Sequence, residues 1–330
     1  MVLKEGMSFA PMNEMMAQAL GSYELCCPQA ELIRHNENMT YRIDDGHRRY
    51  VLRIHKPIAG FSLDIFPPID RVSLVENELA IVADLGRGTS LRMQLPVPGK
   101  DGAVVQALSD GTPVSLLTWV EGRTVETLNQ TPEMLRAIGM MTAKMHLFSE
   151  RQSFGGDRHH RRAYDQSLLR PIAERIRAAN ALGTITDAQR QAVMSALDEM
   201  RGRFGELDRL HPQILTHADL SKSNMIVAED GAITPIDFSL SGYSHFYMDI
   251  GGLFGHITNP EDRRRILEGY KEVRNCEILP RYVEPYFAMQ VILFVACQYE
   301  RAAQWDWFGG KMQQWCEEIF QPLAEGRPFL

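Results

Sequence analysis

The 330-residue chain has little of what a nucleic-acid partner would require: 35 Lys and Arg stand against 42 Asp and Glu, a formal net charge of -7. Phosphate-backbone binding leaves a clear cationic excess, so nucleic acid is set aside and a neutral or cationic small molecule fits better. Cysteine is scarce too. Cys26, Cys27, Cys276, Cys297 and Cys316 are an odd count with no C-x-x-C spacing, which argues against a disulfide framework or a structural zinc site and for reduced thiols in a cytoplasm. No run approaches the ~20 apolar residues of a membrane span, and the opening MVLKEGMSFAPMNEMM lacks the apolar stretch of a signal peptide. The expectation is a cytoplasmic protein with no membrane contact. Internal repeats, low-complexity tracts and long flexible linkers are missing as well, so any hinge between domains must be short.

What is present is ordinary globular material, 45% hydrophobic and 23% charged, enough for two domains or one large two-lobed one. Between Gln29 and Pro57 the β-leaning runs MTYRI and YVLRI flank DDGHRR, whose Asp45-Gly46 is a hairpin signal. In DRVSLVENELAIVADLG the apolar Val72, Val75, Leu79 and Val82 recur at helical spacing, and further strands are expected in GAVVQAL and VSLLTWV. A small mixed lobe therefore covers residues 1–121, ending in a hinge at Thr118 to Arg123.

From Thr131 the pattern turns helical. Thr131 is the expected N-cap and Pro132 the first helical residue, with Leu135, Ile138, Met141, Met145 and Phe148 on one face. In the charged loop that follows, His159 and His160 read as solvated. Helical patterns continue at 165–180, 186–206, 260–274, 281–303 and 310–324, interrupted once by NMIVAEDGAITPIDF, a strand, an Asp230-Gly231 turn and a second strand. Residues 122–330 thus form a larger, mainly helical lobe, and two lobes on a short hinge imply a cleft.

At the mouth of that hairpin stands LTHADLSKSN. Asn224 and Asp237 would offer a hard cation such as Mg²⁺ one amide and one carboxylate oxygen, leaving Asp219 to accept a proton. This is the division of labour of phosphoryl transfer. A metal-hydrolase reading of His211, His217 and Asp219 competes, but no further histidine-rich strand end supplies the remaining ligands. A hydrogen-bonded turn without chemistry is the bland alternative.

HADLSKSN, followed by IDF and MDIGGL, resembles the H-x-D-x-x-x-x-N, I-D-F and D-I/L-A/G series of the aminoglycoside phosphotransferase and choline kinase superfamily, small-molecule kinases related to protein kinases. NENMTYRI, YVLRIHKP, ENELAIVADL, WVEG and IGMMTAKMH stand in the order that family uses, so the resemblance covers about residues 30 to 255. It implies an α+β, two-lobed protein-kinase-like fold with a small, mostly antiparallel β lobe. It implies an ATP-dependent transferase, with GTP possible, that uses Mg²⁺ and a small hydroxylated, amine-bearing acceptor. Homoserine, choline, ethanolamine, other amino alcohols and aminoglycosides all stay open, as does the oligomeric state. The alternative from another class is a non-catalytic nucleotide-binding protein that keeps this fold.

By the same resemblance Asp219 is the catalytic base, Asn224 and Asp237 hold the metal, His217 props the loop and Asp249 braces it. Asn36, Asn38 and Thr40 would cover the phosphates, Arg53 would pair with Glu78 and reach the phosphates, and the backbone of Thr118, Trp119 and Val120 would receive the adenine. Glu76 competes with Glu78, and an exposed ion pair of little worth is the bland reading of Arg53. Two departures stand out. There is no G-x-G-x-x-G loop, and Arg53 replaces the usual Lys, a planar fork in place of a point charge. The Lys that protein kinases carry two residues after the catalytic Asp is Ser221 here, with Lys222 displaced by one, which argues against a protein substrate. Near the C-terminus Glu300, Trp305 and Asp306, with Tyr299, Trp307 and Phe308, would suit an alkylammonium group or would fill the helical core.

Overall fold

The computed structural model describes residues 14–35, 37–59, 63–152 and 161–330. Asn36, His159 and His160 lie outside the described residues. The chain divides into two compact units, one containing residues 70–84 and 94–120 together with the chain before residue 60, the other residues 63–69, 85–93 and the chain from Glu121 onward.

In the first unit, helix α1 (Glu14–Gly21) precedes strands β1 (Gln29–His35), β2 (Met39–Asp44) and β3 (Arg49–Ile54); helix α2 (Arg71–Gly88), all but its last turn, follows, then β4 (Pro96–Val97), β5 (Val105–Ala107) and β6 (Pro113–Thr118). The antiparallel sheet runs β1-β2-β3-β6-β4, with β5 also on β6. The expected Asp45-Gly46 turn joins β2 to β3: the Asp45 carboxylate accepts from the His47 and Arg48 N–H groups, and Gly46 takes a φ of 84°. Two of the expected strands, MTYRI and YVLRI, are β2 and β3, whereas GAVVQAL yields only the short β5.

Strand alternation decides which side chains meet which helix. Leu52, Ile54, Val114 and Leu116 face α1, where Met16, Ala19 and Leu20 complete a core. The opposite face carries Leu117, which packs with Val75 and Leu79 of α2 and with Val105. Arg53 falls on this second face between Leu52 and Ile54, so the period of two aims it at α2.

In the second unit β7 (Arg123–Thr124) precedes α3 (Pro132–Arg151), β8 (Arg162–Ala163), α4 (Leu169–Ala181) and α5 (Asp187–Leu210). Then come β9 (Ile214–Thr216), β10 (Met225–Val227), β11 (Ile233–Pro235), β12 (Gly242–Ser244), α6 (Tyr247–His256), α7 (Pro260–Val273), α8 (Pro280–Ala302), α9 (Phe308–Trp315) and α10 (Gln321–Ala324). The cap of α3 is as expected, Thr131 Oγ1 accepting from the Met134 N–H with Pro132 opening the helix. Thr186 and Gln189 form a reciprocal capping box on α5.

The β10–β11 hairpin pairs Met225 with Pro235, and β7 adds to the far edge of β10 through Thr124 and Ile226. Gly122 makes that edge possible. A Cβ there would lie 2.3 Å from the Val227 carbonyl oxygen, and its φ is 141°. β12 pairs β9 antiparallel and β8 in parallel, which sets the chain after Asp237 beside the strand that leads into Asp219. The small, mostly antiparallel sheet unit and the mainly helical unit give the expected α+β class. Among the described residues no helix is long and apolar enough to cross a membrane.

Candidate active site

Strand β9 ends at Thr216, and the next residues make a left-handed turn: Ala218 has φ 63°. A non-glycine residue held there costs free energy, so the surroundings must over-determine it. They do. The Ala218 N–H donates to Asp249 Oδ1 at 2.7 Å, the His217 N–H donates to Asp249 Oδ2 at 3.0 Å, and the Ala218 carbonyl accepts from Gln290 Nε2 at 3.1 Å. Both peptide groups of the strained residue are thus fixed, and Asp219 follows directly.

Asp249, on the first turn of α6, is fully buried, and His146 Nε2 of α3 donates to it at 2.9 Å. Burial works to raise the Asp249 carboxyl, yet its hydrogen bonds from His146 and the His217 amide hold it below the ordinary aspartate range. The chain of contacts runs on from His146 Nδ1 to the Tyr270 hydroxyl at 2.8 Å, which accepts from Arg274 at 3.0 Å. His146 was not singled out from the sequence. Its signal was available: it closes IGMMTAKMH on the same buried helical face as Ile138 and Thr142, a position where a polar ring needs partners.

The His217 ring stands between two backbone groups. Nε2 lies 3.0 Å from the Ile236 carbonyl and must donate to it, while Nδ1 lies 3.3 Å from the Asp219 N–H and must accept from it. This fixes the neutral Nε2–H tautomer. The ring, packed on Phe238 at 4.4 Å, joins the start of the polar loop to the end of the hairpin.

Asn224 closes a short turn (Lys222–Asn224), and its Nδ2 donates both to the Asp219 carbonyl at 3.0 Å and to Asp219 Oδ2 at 2.8 Å. With the nitrogen committed to Asp219, the amide oxygen is the end left to meet a cation. The Asn224 carbonyl accepts from the Ile236 N–H at 2.9 Å, so Asn224 and Asp237 flank one rung beyond the hairpin. Asp237 is the second non-glycine residue at positive φ, 65°. One carboxylate and one amide oxygen form a hard donor set, and Mg²⁺ on substrate phosphates uses one or two such protein ligands. The residues present fit that ion. Among the described residues no group of three or more His, Cys, Asp or Glu could hold a metal, so His211, His217 and Asp219 do not assemble a hydrolase centre. His211 instead packs edge-on against Phe246 at 5.3 Å.

In the sheet unit Arg53 Nη1 lies 2.6 Å from Glu78 Oε1, and both side chains are buried, at 5% and 4% exposure. The pair is therefore not the exposed one of little worth, and Glu76 is exposed where Glu78 is buried. Thr40 stands across from Arg53 in the β2–β3 register, and Asn38 is buried one residue before β2. At the end of β6 the Thr118 N–H donates to the Leu95 carbonyl and the Trp119 N–H to the Arg49 carbonyl.

The C-terminal cluster divides. Tyr299 and Phe308 are buried, Trp307 is 53% exposed, and Glu300 and Asp306 are exposed. Trp305 stacks on Trp307 with centroids 5.3 Å apart, and the Arg301 guanidinium lies 5.7 Å from the Trp305 centroid. The cation at that ring is the protein's own.

Residues 29–285 match the family described as the phosphotransferase enzyme family. The chain belongs to that family. No curated protein matches its sequence. Among solved structures, this phosphotransferase family member is similar to a microcompartment-associated aminopropanol kinase, with 22% identity and a TM-score of 0.72 over 93% of this chain and 96% of that one. It is similar to the amicoumacin kinase hAmiN, solved with AMP-PNP, Ca²⁺ and Ami, at 18% identity and a TM-score of 0.69 over 95% and 92%. Choline kinase LicA from Streptococcus pneumoniae matches at 15% identity and a TM-score of 0.62 over 96% and 100%. At these identities the likeness establishes a shared fold, that of small-molecule kinases with protein-kinase-like architecture.

Proposed function

We propose that this phosphotransferase moves the γ-phosphoryl group of ATP, or of GTP, to a hydroxyl of a small amine-bearing molecule. The observation that carries the reading is the hydrogen bond from Asn224 Nδ2 to Asp219 Oδ2 at 2.8 Å. It holds a carboxylate and a carboxamide in fixed relation, as a proton acceptor and a metal ligand must be in phosphoryl transfer.

In this reading Asn224 and Asp237 hold Mg²⁺, which when bound would neutralise charge on the nucleotide phosphates. Asp219 accepts a hydrogen bond from the acceptor hydroxyl and turns its oxygen toward phosphorus. Aspartates, at an ordinary pKa of about 3.9, are weak bases at neutral pH, so orientation outweighs early proton removal. Arg53, paired with Glu78, is the residue proposed to reach the phosphates, with Asn38 and Thr40 nearby in sequence and Asn36 assigned by the motif alone. Because the N–H groups of Thr118 and Trp119 already donate within the chain, a purine edge would be met chiefly by Val120 and hinge carbonyls. His217 and Asp249 act through the loop.

An amine on the acceptor is supported by the net charge of -7 and by the aminopropanol and choline named for two kinases of this fold. Glu300, Trp305 and Asp306 are the residues proposed for it, with the two carboxylates carrying the charge contact since Arg301 already lies over the Trp305 ring. The test is ATP consumption with and without Mg²⁺ across a panel of amino alcohols, homoserine and aminoglycosides. Acceptor-dependent ADP formation that needs the metal supports the reading, and none with any acceptor or nucleotide would leave a non-catalytic binding protein.

A further inference from the structure

The adjacent cysteines have no part in that chemistry. Cys26 and Cys27 lie in the turn between α1 and β1, both thiols are exposed, and their sulfurs stand 3.9 Å apart with Cys26 Sγ–H directed at Cys27 Sγ. The turn is pinned. Tyr23 is buried in the sheet core with its hydroxyl donating to the Val114 carbonyl, the Lys100 N–H and ammonium donate to the Ser22 and Gly21 carbonyls, and Leu25 packs on the same core. The two thiols are therefore presented side by side from a fixed backbone.

A gap of 3.9 Å is well beyond the ~2.05 Å of a direct disulfide, but it suits a third atom bound to both sulfurs. Soft thiolates select soft, thiophilic centres. The hydrogen bond between the thiols pushes the Cys26 thiol up. Of the remaining cysteines, Cys276 and Cys297 are half-buried and Cys316 is buried, and each can offer only one sulfur.

We propose that Cys26 and Cys27 form a vicinal-dithiol site that chelates a trivalent, thiophilic metalloid, with a monosubstituted arsenical as the ligand class. The step is a condensation without redox change. With phenylarsine oxide, two As–S bonds form, the As–O bond breaks, and the oxygen leaves as water carrying the two thiol protons. Closing the second bond on a fixed turn is intramolecular, which raises retention by ~10² over a single thiol.

Intact-mass measurement of the full chain incubated with phenylarsine oxide in excess monothiol tests this. One phenylarsenic group per chain is expected, displaced by a small dithiol and retained at least ~10²-fold less in Cys26→Ser and in Cys27→Ser. Cys276→Ser should keep it. Both critical positions are exposed, so the single variants fold. An adduct that survives in either variant, or no adduct on the wild-type chain, overturns the proposal.

Discussion

Asn224 Nδ2 donates to Asp219 Oδ2 at 2.8 Å, and the two side chains thereby share one orientation. If Asp219 orients the acceptor hydroxyl, Asp219→Asn should lower kcat by ~10² to 10⁴, the usual cost of losing a general base. Nucleotide affinity should stay near that of the wild type. Steady-state kinetics with equilibrium binding would refute the role if turnover were normal.

Asp237 is a different kind of residue. Its removal should act on metal-dependent nucleotide binding before it acts on chemistry, since the carboxylate is one of two proposed protein ligands. Calorimetry of Asp237→Ala should show nucleotide affinity that no longer responds to Mg²⁺. Unchanged Mg·ATP affinity would exclude it as a ligand.

Glu78→Gln probes the buried pair with Arg53. Because both side chains are buried, removing one charge breaks a buried ion pair, at a cost of about 3–5 kcal/mol. Urea unfolding should show the loss. A change within about 1 kcal/mol, as for exposed pairs, would mean that the guanidinium finds water.

For Asp249 the sign follows from its depressed carboxyl. The folded state holds fewer protons there than the unfolded chain, so the associated stability is full above the unfolded value near 3.9 and is lost as pH falls through the folded one. Unfolding midpoints below pH 5 should fall more steeply in the wild type than in Asp249→Asn. At neutral pH that variant should be less stable by about 1–3 kcal/mol for each backbone N–H left unpaired. Parallel acid profiles would remove Asp249 from this account.

Gln290 reaches the loop from α8, donating to the carbonyl of the strained Ala218. Gln290→Leu should lower kcat by ~10-fold, about 1.4 kcal/mol of barrier, while the nucleotide KM stays within twofold. Equal changes in kcat and KM, or none, would mean that Asp219 is aimed without it.

Much of this was legible in the sequence because it is local. The Asp45-Gly46 turn, the Thr131 cap and the order of HADLSKSN and IDF are encoded by neighbours in the chain. Short strands were not. β8, β9 and β12 are two or three residues long, too brief for a period of two to register, and they exist only through partners distant in sequence. α1 and α6 were missed for other reasons: α1 is only eight residues long, about two turns, too few for a helical period to register, and α6 is buried all round, so no polar face marks its period. His146 shows the limit for the site. Its face on α3 was legible, but its partners Asp249 and Tyr270 come from helices about a hundred residues later.

The strand that opens the helical unit has its own bearing on synthesis. Arg123 and Thr124 take their strand partners in Val227 and Ile226, so a ribosome must add about a hundred more residues before that edge can be covered. At 5–20 residues per second this is roughly 5–20 s. During that interval the nascent chain carries an unpaired edge followed by an apolar helical face, the window in which a chaperone would have something to hold.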